Sequence, residues 1–351
     1  MAVRLLAFLK RAADEDPLVD LVEAVESVDK KRSPGLDWLL REGIALDRHV
    51  REGRFQRTLS LIAGIASLLS GLEVIPEHYR GSYSQRVMYT PAILSPALLV
   101  AGIWGAFSKR AARTVLPVVS ALTVVDGVIG FFMHVRGIHR KPGGWRIPVF
   151  NLVMGPPVLA PLLFALSGYL GLIASVLRPE EDPPTTLSNR LPALSRSRAR
   201  WPRLAPEAVG DDVLRLERQM REGRFQQQLA IAAALSALLS GFEALYSHYK
   251  NNFQYRVQWT PIALTPVLFV AGLAAVWNRT AARVVLPIVS ILAMLDGAIG
   301  TFYHLRGQFR RAGGLTYPIY NAMYGPPLFA PLLFAASGFL GVLASLLRRS
   351  D

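Results

Sequence analysis

The chain has 351 residues, of which 52% are hydrophobic and 18% charged, and its 39 Lys and Arg exceed its 25 Asp and Glu to give a net charge of +14. This composition is too apolar for an ordinary water-soluble protein, and the basic residues flank apolar runs instead of forming a nucleic-acid-binding face. The absence of cysteine excludes disulfides, Cys-ligated zinc, iron–sulfur clusters and thiol catalysis.

The terminal and central segments differ from the apolar remainder. Residues 1–50 mix acidic and apolar residues, and the run from Pro17 to Val22 predicts a short amphipathic helix at the membrane surface. Residues 179–220 are rich in Pro, Ser and Arg and predict a flexible cytoplasmic linker.

A tandem duplication organises the rest of the chain. Shifting the sequence by 170 residues aligns residues 51–178 with 221–348 without a gap, and 64 of the 128 aligned positions are identical. Such long-period self-similarity fixes the architecture before any fold is assigned. The first and second copies are therefore expected to share one structure.

Each copy contains four apolar segments, and a helix of roughly 20 residues spans the hydrocarbon core of a bilayer. Helices are expected rather than a barrel because no period-2 alternation is present. The predicted segments are Leu59–Ile75, Ala92–Phe107, Val115–Met133 and Val158–Leu177, then Leu229–Leu245, Ile262–Trp277, Val285–Tyr303 and Leu328–Leu347. The sequence thus predicts an all-α integral membrane protein of eight transmembrane helices in two tandem four-helix bundles.

An even number of spans gives both copies the same orientation, unlike the inverted repeats of many transporters. The N-terminal region, the linker, the C-terminus and the loops on their side carry 28 Lys and Arg, against 11 in the opposite loops. The positive-inside rule then places both termini in the cytoplasm, with the chain in the cytoplasmic membrane. Aromatic residues in the opposite loops, such as Tyr79, Trp145 and Tyr249, fit an outer interfacial belt.

Four of the six histidines occur at matched positions of the two copies, His78 with His248 and His134 with His304. Within a copy they end the first and third helices, which are diagonal in an up-down-up-down bundle and face each other across its core. Two such imidazoles suit bis-His ligation of haem iron. Glycines on the same helix faces, Gly71 and Gly130 with their counterparts Gly241 and Gly300, are expected to leave room for the macrocycle.

Matched charged residues lie near the histidines. The carboxylates Glu73 and Asp126, with Glu243 and Asp296 in the second copy, sit inside apolar helices, where a charge is costly and indicates function. They are interpreted as a proton relay or, with the histidines, as a two-His, two-carboxylate metal site. Four arginines on the outer side, Arg86, Arg136, Arg256 and Arg306, suit an anionic group such as a haem propionate.

The sequence therefore predicts an electron-transfer protein with one b-type haem per copy near the outer face. It would serve a quinone pool, an external redox partner or a membrane oxidoreductase complex. The alternatives are a transporter or channel with Glu73 and Asp126 lining its path, a membrane metalloenzyme, and a cofactor-free anchor subunit. The partners expected are the lipid bilayer and redox proteins, and not nucleic acid.

Overall fold

The computed structural model describes residues 48–181, 215–216 and 218–347, and these ranges are helical with no strand. The amphipathic helix predicted from Pro17 to Val22 and most of the linker predicted over 179–220 lie outside the described residues.

Each copy folds into five α-helices. The first copy contains α1 (Gln56–Arg80), α2 (Thr90–Phe107), α3 (Lys109–His139), α4 (Pro148–Val153) and α5 (Ala160–Val176). The second contains α6 (Gln226–Lys250), α7 (Thr260–Trp277), α8 (Leu286–Arg310), α9 (Pro318–Tyr324) and α10 (Ala330–Leu346). A π-helical turn over Ala281–Val285 precedes α8, whereas α3 is regular from its start.

Local sequence signals set several helix starts. Pro91 and Pro261 occupy the first turns of α2 and α7, where the missing N–H would have no intrahelical partner. The Ser108 hydroxyl caps α3 by accepting from the N–H of Ala111, and the Asn278 side chain does the same for Ala281. These caps replace the hydrogen bonds that the first turn of a helix lacks.

Among the described residues, six helices are long and apolar enough to cross a membrane. They are α1, α3 and α6, α2 with the 3₁₀ turn Arg86–Tyr89 before it, α7 with the 3₁₀ turn Arg256–Trp259 before it, and α8 with its π turn. The fourth apolar helix of each copy, α5 or α10, has 17 residues, or about 25 Å at 1.5 Å per residue. That is less than the roughly 30 Å hydrocarbon core. Eight full-length spans are therefore not confirmed. The predicted span Val158–Leu177 begins before α5, and residues 154–159 are not helical.

Within a copy, the first and third long helices both pack on the second and on the fourth apolar helix, and they face each other diagonally. Glycine permits the closest approaches. A Cβ on Gly102 of α2 would lie 2.4 Å from the carbonyl oxygen of Ser60 in α1, and one on Gly127 of α3 would lie 2.5 Å from that of Pro161 in α5. Small residues let apolar helices approach to backbone contact.

The two copies share one continuous apolar core. The Phe55 and Phe225 rings stack with centres 6.0 Å apart, and a Cβ on Gly53 would lie 2.7 Å from the backbone nitrogen of Gly223. Nearer the other end, α1 packs on α10 and α6 packs on α5. This exchange of contacts between copies positions the intramembrane carboxylates.

Candidate functional site

The matched histidines meet in pairs, each pair within one copy. The ring centres of His78 and His134 are 6.4 Å apart with their planes at 72°. Those of His248 and His304 are 6.5 Å apart with their planes at 74°. The diagonal arrangement of the first and third helices thus brings the two imidazoles of each copy together at the same end of the bundle.

All four histidines use Nδ1 to contact a backbone carbonyl. The partner of His78 is Met88 at 2.7 Å, and that of His248 is Gln258 at 3.0 Å. Since a carbonyl only accepts, Nδ1–H is the donor and Nε2 keeps its lone pair. The same Nδ1 contact joins His134 to Pro157 and His304 to Pro327. Metal-binding histidines are oriented in this way by a carbonyl or carboxylate behind the ring.

A strained loop flanks the first histidine of each pair. Ser82 and Tyr83 have φ of 57° and 45°, and Asn252 and Phe253 have 53° and 47°, a region that costs a non-glycine residue about 1–3 kcal/mol. The Tyr83 ring stands edge-on to His78, with centres 6.1 Å apart. The loop keeps this conformation in both copies although its residues differ. Sequence reasoning missed it, since no glycine marks either position.

The aromatic residue of each strained loop stacks on a second aromatic ring, which lies just before α2 in the first copy and just before α7 in the second. Tyr83 stacks on Tyr89 with ring centres 4.3 Å apart, and Phe253 stacks on Trp259 at 4.1 Å. The stacked pair covers one side of the first imidazole of each copy. The aromatic residues that the sequence assigned only to an interfacial belt therefore also hold the histidine loop.

Asp126 joins this cluster through α2. The hydroxyl of Thr90, the first residue of α2, donates to the Asp126 carboxylate, and Thr260 bonds Asp296 in the second copy. His78 is near enough to interact electrostatically with Asp126. Among the described residues, however, no three His, Asp or Glu side chains are placed to hold a metal ion together.

Glu73 and Glu243 do not join the histidines of their own copies. The Glu73 carboxylate accepts from the backbone N–H of Phe329, at the start of α10 in the second copy. The Glu243 carboxylate accepts from that of Leu159, at the start of α5 in the first copy, at 2.9 Å. Each carboxylate caps a helix N-terminus of the other copy, where unpaired N–H groups and the helix dipole favour negative charge. The predicted grouping of Glu73 with His78 and Asp126 is therefore not what the geometry provides.

The four glycines expected to clear space for a cofactor instead admit neighbouring helices. A Cβ on Gly71 would lie 2.0 Å from the hydroxyl of Ser95 in α2, and one on Gly241 would lie 1.8 Å from that of Thr265 in α7. Cβ atoms on Gly130 and Gly300 would each lie 3.0 Å from a proline, Pro161 or Pro331. These contacts give the glycines a packing role.

The four arginines of the predicted site, Arg86, Arg136, Arg256 and Arg306, are exposed at the histidine end. No ion pair joins them to another described residue, whereas Arg80 pairs with Glu77 one turn away. Their side chains therefore lie at the surface of the histidine end.

An Asn at matched positions of the two copies holds the loop that follows the third long helix. The side chain of Asn151 in α4 is buried and donates to the carbonyl oxygens of Pro142 and Gly144, at 3.0 and 2.8 Å. It thereby fixes the loop after α3 against the segment that leads to Pro157. Asn321 makes the equivalent contacts to Ala312 and Gly314.

Together these elements define a helical protein suited to a membrane, with a repeated two-imidazole site at one end of each copy. Comparison with protein-family models, with curated proteins and with solved structures finds no match.

Proposed function

We propose that the protein is an integral membrane electron carrier that binds one b-type haem in each copy, between His78 and His134 and between His248 and His304. The number of ligands supports haem over a bare metal ion. A macrocycle supplies four nitrogens and needs two axial side chains, whereas a protein-bound zinc needs three or four. The described residues offer two histidines per site.

The separation of the imidazoles carries the proposal. Two metal–nitrogen bonds of about 2.0–2.1 Å, added to the distances from nitrogen to ring centre, place the ring centres about 6.4 Å apart. A direct hydrogen bond of about 2.9 Å between the two rings would bring the centres to about 5.2 Å. The spacings of 6.4 and 6.5 Å are compatible with the first arrangement in both copies, and they also fall within the range of about 4.5–7 Å of an edge-to-face ring contact.

The surrounding residues fit haem in part. Nδ1–H donation to Met88 and Pro157 orients both rings and leaves Nε2 for iron. Arg86 and Arg136 are exposed nearby and suit propionates, which guanidinium binds with two hydrogen bonds. Gly71 and Gly130 give no clearance for a macrocycle, because they admit Ser95 of α2 and Pro161 of α5. Bound haem iron supplies one-electron oxidation and reduction; the chain holds and shields it.

The proposed topology has eight crossings in two parallel four-helix bundles, with both termini in the cytoplasm. The 17-residue helices α5 and α10 complete their crossings through the nonhelical residues before them. These residues are half-buried or exposed, and they lie at the histidine end, where the proposed crossing meets the outer interface. This topology puts the histidine sites near the outer face of the cytoplasmic membrane, within reach of an external redox partner or a quinone pool.

Optical spectroscopy of protein purified after haem-supplemented expression tests the proposal. We expect a Soret band and, after dithionite reduction, the sharp α and β bands of six-coordinate haem b. Purified, folded protein that has no Soret band and gives no pyridine haemochrome would refute it.

A transporter is the second candidate, and the starts of α5 and α10 favour it. Each begins inside an apolar segment against a carboxylate of the other copy, as do the broken helices that bind substrates in transporters. Flux can be measured with the purified protein in liposomes. If the protein is colourless and the double variant Glu73→Gln/Glu243→Gln abolishes its flux, a transporter is supported over an electron carrier.

A further inference from the structure

A groove lies at the histidine end where the first copy meets the second. Its volume is about 730 Å³, and it is open, since Tyr79, Tyr317 and Tyr320 are each more than half exposed. Tyr79 at the end of α1 forms one wall, and the opposite wall belongs to the second copy around α9. The lining residues used below are Tyr79, Thr316, Tyr317, Tyr320, Met323 and Tyr324, and together they are called the tyrosine groove.

The lining of the tyrosine groove selects a neutral ligand. Four phenol rings supply flat apolar surface and hydroxyl donors, and no charged side chain is among the lining residues. The rings of Tyr320 and Tyr324 lie 4.9 Å apart at 40° to each other. The lining offers no carboxylate to a cation and no guanidinium or ammonium group to an anion. An aromatic head group whose oxygens accept hydrogen bonds fits best.

The two copies differ at this place. Where the second copy has Tyr317, Tyr320 and Tyr324, the first has Ile147, Phe150 and Met154. An interfacial aromatic belt would act alike on two copies of the same orientation. The three added hydroxyls on one copy therefore indicate a ligand that binds once per chain.

The tyrosine groove is formed by residues close in the chain to both histidine pairs. Tyr79 directly follows His78, a member of the first pair. Tyr324 lies three residues before Pro327, whose carbonyl accepts from Nδ1 of His304 in the second pair. A ligand in the groove is thus close in the chain to both sites, and α9 packs directly on α1 to hold the two walls together.

We propose that the tyrosine groove binds the head group of a quinone-type lipid that enters from the bilayer. A quinone is neutral, flat and membrane-soluble, and its carbonyl oxygens accept the hydrogen bonds that the tyrosines donate. The choice of a redox-active ligand rests on the proposed function; the neutral aromatic chemistry rests on the groove alone.

Binding of decylubiquinone to the full-length protein in nanodiscs, measured by quenching of intrinsic fluorescence, tests the proposal. The variant Tyr320→Phe with Tyr324→Met, which installs the residues of the first copy, should weaken binding at least about fivefold, because two hydrogen-bond donors are lost. The matched control, Phe150→Leu with Met154→Leu, changes the equivalent positions of the first copy and should leave the affinity unchanged.

Equal affinity in the wild type and the tyrosine variant would overturn the proposal. The same titration on His134→Ala/His304→Ala, which lacks a haem ligand in each copy, should still show saturable quinone binding, because the groove does not include these histidines. Wild-type protein that binds quinone but contains no haem would support the groove and refute the haem carrier. Wild-type protein that contains haem but shows no saturable quinone binding would refute the groove alone.

Discussion

Two neighbouring residues at the histidine end have strained backbone torsions. Ser82 and Tyr83 both have positive φ, and the N–H of Tyr83 bonds the carbonyl oxygen of His78 at 3.0 Å. Strain of this kind persists where surrounding contacts fix the backbone and is concentrated at functional sites. The loop holds Tyr83 against the His78 ring, so its strain orients a candidate ligand.

Relief of that strain gives a prediction at the residue scale. Ser82→Gly should stabilise the protein by about 0.5–1 kcal/mol, because glycine adopts positive φ without the Cβ clash. The melting temperature in detergent measures the effect. Ser84→Gly in the same loop, at a residue without positive φ, should not stabilise, and equal shifts for both variants would contradict the assignment of strain to Ser82.

At the scale of helices, the reciprocal caps link the copies. Each short helix, α5 or α10, begins where a carboxylate from the other copy meets its first N–H groups. Glu243 also accepts from the hydroxyl of Tyr246, whereas the first copy has Pro76 at that position and no matching donor. The two caps between the copies therefore share the same backbone contact but differ in the side chains around the carboxylate.

Removal of one cap should destabilise the fold. Glu73→Ala leaves the N–H of Phe329 without its acceptor and is expected to cost about 1–2 kcal/mol, the usual range for a lost N-cap in a partly buried place. The melting temperature should fall accordingly, and Glu73→Gln should retain part of the stability through its amide oxygen. The matched control is Glu77→Ala, which removes an exposed ion pair with Arg80 and should cost under about 0.5 kcal/mol. An equal effect of both alanine variants would argue against the cap.

The sequence predicted more of the helices than of their contacts. Apolar segments located all six long helices, and the helical register put His78 and His134 at the same end. The role of Glu73 was not predictable, because it depends on how one copy packs on the other. The late start of α5 was obscured because the apolar run continues through Val158 and Leu159, where prolines on both sides interrupt the helix. The sequence could not separate the two possible roles of Gly71, because a close helix contact and space for a cofactor both call for a residue without a Cβ atom.

Orientation in the membrane is a prediction for the whole molecule. Arg140→Cys and Arg310→Cys, at matched exposed positions of the histidine end, should react with a membrane-impermeant maleimide in intact cells. Arg110→Cys, exposed at the opposite end, should react only after permeabilisation. The chain has no native cysteine, so each signal comes from one site. The reverse pattern would invert the proposed topology.

The duplication bears on how many sites the molecule contains. Each copy carries a complete histidine pair, and no described pair crosses between copies. The two sites should therefore load independently, although the copies share a core and exchange helix caps.

The number of haems per chain, measured by pyridine haemochrome, tests haem binding and the independence of the two sites together. We expect two haems per chain in the wild type, about one in His134→Ala, none in His134→Ala/His304→Ala, and two in the control His139→Ala, whose histidine has no counterpart in the second copy. Loss of all haem from folded His134→Ala would contradict independent sites within each copy, and absence of haem from the folded wild type would contradict haem binding altogether.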